Sequence, residues 1–244
     1  MNVLRSTDAN FTAKINQLAT ASSLFDPAIE DRARAIIAAV QAKGDEALLE
    51  FTEHFDGATL TADQLAVTQA ELMAASLKSD ESLRTTVTEA GKNIAAFAEA
   101  SLRKDWWMRN SHGAVVGEKF DPFQRVGIYI PGGTAPLVST ALMTITLARV
   151  AGCREIVVCT PCARDGSINA ALLFAARAAG ATEIYRVGGA QAIAAMACGT
   201  KTIRRVQKVF GPGNAYVVAA KRLLYGSVAI DLLPGPSEVL VLAD

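Results

Sequence analysis

From Gly113 onward the chain alternates short β-branched runs with alanine-rich stretches of helical length, and this alternation restricts the fold more than any other feature. The runs read as strands over 114–119, 125–130, 155–159, 183–187, 206–210 and 227–232, followed by 238–243. The stretches between read as helices over 136–151, 167–179, 190–198 and 213–225. Two parallel neighbours need a crossover of about a dozen residues, and a helix of this length supplies one. The pattern predicts an α/β fold: a parallel sheet with helices on both faces.

Before Gly113 the chain reads as helical. Asp26 and Pro27 are the N-cap and first residue of a helix, PAIEDRARAIIAAVQAK, that stops at Gly44. EALLEFTEHF follows and ends near Gly57. Thr68 and Glu71 have capping-box spacing, and Ser79 or Asp80 opens a long helix to about Leu102. The change in character near residue 125 predicts a boundary. Residues 1–24 form an N-terminal arm, 25–126 with 237–244 a first, discontinuous and incomplete α/β domain, and 127–236 a second, complete one.

Composition excludes some classes. Lys plus Arg and Asp plus Glu number 24 each, so charge makes no case for a nucleic-acid or membrane partner. The first 20 residues have no signal-like apolar core, and no apolar run reaches spanning length. A cytoplasmic protein is expected, with Cys153, Cys159, Cys162 and Cys198 as thiols. Cys159-x2-Cys162 is expected to pack rather than to bind zinc, because no histidine lies near it.

Three glycine-rich turns stand at strand-to-helix junctions: YIPGGTAP (129–136), RVGGAQAI (186–193) and VFGPGNAYV (209–217). In open α/β sheets, ligands bind at the carboxyl ends of the strands. Glycine admits close approach there, and the following helix offers free N–H groups. Thr134, Gln191 and Asn214 follow the glycines as polar contacts. None of the turns is the G-x-G-x-x-G fingerprint, and no acidic residue is spaced to hold a ribose. Taken singly, Asn214 reads equally as a helix cap, Gln191 as a helix-surface residue, Tyr129 as a core aromatic and Ser237 as a turn residue.

RVGIYIPGGTAPLVSTALM, VGGAQAIAAMACGT, KVFGPGNAYVVAAKR and IDLLPGPSEVLVLAD, with KGDEALLEFTEHFDG earlier, closely resemble the histidinol dehydrogenase family. The resemblance implies Rossmann-like units and oxidation of L-histidinol through the aldehyde to L-histidine, with two NAD and a zinc ion that helps bind substrate. It implies NAD contacts at Tyr129, Gln191 and Asn214 and a substrate contact at Ser237. It also implies a homodimer in the cytosol. The family's zinc ligands and its Glu-His acid/base pair have no counterpart in this sequence, so no catalytic residue and no zinc ligand are assigned. The chain alone is expected to be inactive, and association with a separate C-terminal half is an expectation. Glu238 and Asp231 are weaker candidates for a base. His54 and His112 are expected at the surface, and Pro234 departs from the family's usual alanine. The other readings are a dehydrogenase of another small polar alcohol, or a non-catalytic module that binds a nucleotide or a partner.

Overall fold

The computed structural model describes residues 4–20, 26–132 and 136–234. After α1 (Phe11–Thr20) come four helices: α2 (Pro27–Lys43), α3 (Asp45–Asp56), α4 (Gln69–Lys78) and α5 (Glu81–Ser101). Their starts follow local chemistry. Asp26 accepts from the Ala28 N–H, and Asp80 accepts from Leu83 N–H. Thr68 and Glu71 close a reciprocal capping box. Gly57 ends α3 in the left-handed region, at φ 69°.

A hairpin follows, β1 (Trp106–Arg109) against β2 (Val115–Glu118), antiparallel and apart from the main sheet. The sequence pattern marks β2 but not β1. β1 exists because Asn110 and Gly113 turn the chain: Asn110 Oδ1 accepts from the N–H groups of His112 and Ala114.

The main sheet has β3 (Arg125–Tyr129), β4 (Glu155–Thr160), β5 (Glu183–Arg186), β6 (Lys208–Phe210) and β7 (Ala229–Ile230). Its order is β5-β4-β3-β6-β7, and every pairing is parallel. The crossovers are α6 (Val138–Val150), α7 (Ala170–Ala179), α8 (Gly189–Cys198) and α9 (Ala215–Leu224). The direction of winding reverses between β3 and β6, the switch point of a Rossmann-like sheet.

Both faces are covered. Ile36, Ile37, Val40 and Leu48 of α2 and α3 join Val157, Ile193, Val209 and Val217 in one core. Ala75 of α4 and Val87 of α5 join Ile128, Ile145, Ile156 and Leu173 in the other. Helices α2 to α5 therefore share their cores with the sheet that follows. Residues 237–244, expected to complete a first domain, lie outside the described residues, as does the strand expected over 238–243. Among the described residues, no helix is long and apolar enough to cross a membrane.

Candidate functional site

The carboxyl ends of β3, β4 and β6 open into a cavity of about 900 Å³ at the switch point. Tyr129, Gln191 and Asn214, widely separated in sequence, all line it. Ser237 and Thr134 lie outside the described residues.

Tyr129 is the last residue of β3 and is 3% exposed. Its hydroxyl accepts the N–H of Gly189, the first residue of α8, at 3.0 Å. Burial raises the phenol above its ordinary pKa, so it stays neutral and keeps its own proton to donate. Gln191 sits in the first turn of α8 and is 1% exposed, so it is not a helix-surface residue. Neither its Oε1 nor its Nε2 has a partner within the protein. A buried amide without partners is costly, which makes its presence on a cavity wall informative. Asn214 is the N-cap of α9, its Oδ1 accepting from Tyr216 N and Val217 N. The cap uses the oxygen, which leaves the Nδ2 group as the remaining donor.

The turn before Asn214 is held tightly. Gly211 has φ 120°, and a Cβ there would overlap the carbonyl oxygen of Tyr129. Lys221 is buried and donates to the Gly211 carbonyl at 2.5 Å and to both Asp231 oxygens at 2.8 and 3.0 Å. Asp231 in turn accepts the Gly211 N–H at 2.9 Å. Its carboxylate is thus committed to the turn, which leaves it poorly suited to act as a base.

Residues that the motifs did not single out also face the cavity. His54, Phe55 and Asp56 reach it from the end of α3, and Cys162 from beyond β4. His54 lies edge-on to Phe55, ring centres 4.8 Å apart, so its exposed ring belongs to the cavity rim rather than to a remote surface. Burial pushes the Cys162 thiol up to about 11, with Asp56 adding to the rise, which leaves it protonated. Desolvation pushes the Asp56 carboxyl up to about 6. Asp56 falls within the KGDEALLEFTEHFDG stretch, but its place at the cavity follows from packing between α3 and α8. Among the described residues, no group of three or more His, Cys, Asp or Glu side chains is placed to hold a metal.

The profile of the family described as histidinol dehydrogenase matches residues 20–244. A histidinol dehydrogenase of Symbiobacterium thermophilum is 48% identical over 220 residues, 90% of this chain and 50% of that protein. One of Geobacillus kaustophilus is 49% identical over 209 residues, covering 86% of this chain and 49% of the relative. The crystal structure of histidinol dehydrogenase from Elizabethkingia anophelis superposes with a TM-score of 0.81 at 38% identity, covering 86% of this chain and 48% of that one. The chain spans about half the length of the curated relatives it matches. By its motifs, its sheet and these relatives, this chain is a member of the histidinol dehydrogenase family.

Proposed function

We propose that this chain is the cofactor-holding part of a cytoplasmic enzyme that oxidises L-histidinol, through the aldehyde, to L-histidine with two NAD. The observation that carries the reading is the convergence of Tyr129, Gln191 and Asn214 on one switch-point cavity, with the buried Gln191 amide unpartnered. NAD, when bound, supplies the hydride acceptor. Gln191 meets it with a donor and an acceptor at the start of α8. Tyr129 presents its ring and its phenolic proton, and Asn214 presents an amide group beside the first turn of α9. The glycines of all three turns let the ligand approach the backbone.

Titration of the 244-residue chain with NAD tests this directly. Measurable heat and a raised melting temperature are expected; neither appearing overturns the reading. The same chain is expected to form no NADH from histidinol with added zinc. Activity is expected on adding a polypeptide that corresponds to the C-terminal half of the relatives, in a homodimeric assembly. Restoration with histidinol, and not with other amino alcohols, identifies the substrate; turnover by the chain alone would overturn this division of labour.

A further inference from the structure

We propose that Asp56 is the carboxylate that holds a ribose hydroxyl of NAD in this cavity and excludes the 2′-phosphorylated cofactor. The inference rests on the NAD reading above and adds the residue that sets its selectivity.

Dinucleotide-binding sheets hold the ribose with an acidic residue about 20 residues beyond the glycine-rich turn, near the end of the second strand. Here the first strand is β3 and the second is β4, whose carboxyl end, Thr160-Pro161-Cys162, offers no carboxylate. Asp56 takes that place from a different element. It is the last residue of α3 and lies beside the β5–α8 turn. A Cβ built on Gly188 would stand 2.7 Å from the Pro161 side chain and 3.4 Å from Asp56 Oδ2. The carboxylate therefore lies between the end of β4 and the start of α8, on the cavity wall near Tyr129.

Its hydrogen bonding is incomplete. Asp56 Oδ2 is shut off from water and has no donor within the protein. A carboxylate in that state gains from a hydroxyl brought by a ligand, because the donor replaces the water it has lost. A phosphate in the same place meets the opposite response. The carboxylate repels it, and Asp56 stands at the carbonyl end of α3, where the helix carries partial negative charge. Arg32, the arginine on the cavity wall, donates to the Tyr216 hydroxyl of α9 at 3.0 Å, toward the β6 side. The acid side of the cavity thus suits an unmodified ribose.

The test titrates the wild-type chain, Asp56→Asn and Asp56→Ser with NAD and with NADP by calorimetry, with a melting curve for each. The wild type is expected to bind NAD on the order of tenfold or more tighter than NADP, as a like-charge clash requires. Both variants are expected to melt no lower than the wild type. Asp56→Ser is expected to lose on the order of tenfold in NAD affinity, the scale of a charge-assisted hydrogen bond, and to bring the two cofactors within about threefold of each other. Asp56→Asn keeps the side-chain volume and should also lose the preference. NAD binding by the wild type with an unchanged NAD-to-NADP ratio in the variants overturns the role of Asp56 and leaves the NAD reading standing. No binding of either cofactor by the wild type overturns the NAD reading itself.

Discussion

Arg125, Glu155 and Glu183 open β3, β4 and β5 side by side, while Tyr129 and the glycine turns before Gln191 and Asn214 close the same sheet at its other end. The two ends treat polar groups differently. At the amino ends, Arg125 is 7% exposed and bonds Glu155 and, through two nitrogens, Glu183 at 2.6 and 2.7 Å. Arg204 joins both carboxylates, and the Tyr185 hydroxyl donates to Glu183. The hydrogen bond from Arg125 draws the Glu183 carboxyl down to about 2. At the carboxyl ends, Asp56 and Gln191 border a cavity with polar atoms that have no partner. One end spends its polar groups on holding the strands together. The other keeps them unsatisfied, which costs stability and is useful only where a ligand completes them.

The sharpest way to break this comparison is Arg125→Met. It leaves Glu155 and Glu183 adjacent without their buried cation and should cost about 3 kcal/mol of stability in a urea melt. NAD affinity of the folded variant should not change, because the network lies at the far end of the sheet. A variant as stable as the wild type would show that the paired end is not a source of stability.

The two ends should also respond oppositely to pH. The folded-state pKa of Glu183 lies below its ordinary 4.5, so its contribution is present above pH 4.5 and is lost as pH falls toward about 2. That of Asp56 lies above its ordinary 3.8, at about 6, so the folded state binds the proton more readily. Its ionised form is a penalty, complete above pH 6 and absent below about 4. Asp56→Asn should therefore raise stability by about 1–2 kcal/mol at pH 7–8, and the gain should vanish at pH 4. Melts of both proteins at the two pH values check this.

A smaller effect is expected from Gln191→Leu. Removing a buried, unpartnered amide should hold or raise stability, by about 1 kcal/mol, while NAD affinity falls on the order of tenfold. Loss of stability together with unchanged affinity would make Gln191 a structural residue. The smallest effect is reserved for Arg204→Ala. Arg204 is 64% exposed, and its loss from the same network should cost only about 0.5 kcal/mol in the urea melt. A cost matching that of Arg125→Met would mean that burial is not what distinguishes the two arginines.

Much of the fold was legible because its signals are local. Asp26-Pro27, the Thr68–Glu71 box and the glycines at 44 and 57 delimit helices by hydrogen bonds made within a few residues. β3 is buried throughout and β4 in all but its first residue, and both read as apolar runs. β1 was not legible, since Trp106-Trp107-Met108-Arg109 is exposed throughout and shows no inside–outside alternation. The three turns were legible as turns, and Tyr129, Gln191 and Asn214 as residues of a common family pattern. Asp56 was not. No acid follows a glycine turn at the spacing that holds a ribose. Asp56 reaches the cavity from α3, which precedes all three turns, and is placed there by contacts between distant segments.

The pairing of α2 with α9 carries a consequence for how the protein is made. Ile36, Ile37 and Val40 of α2 are covered by a core that includes Val217, Ala220 and Leu224 of α9. Glu30 is tied to Arg222, and Arg32 to Tyr216. During synthesis α2 leaves the ribosome long before α9 exists, at roughly 5–20 residues per second. Its apolar stripe must wait, uncovered, for about ten seconds at the faster of those rates and for more than about thirty at the slower. A parallel sheet of non-local pairings adds to the delay. The first helices made are among the last to be buried, and that interval is when a nascent chain of this design most needs protection from aggregation.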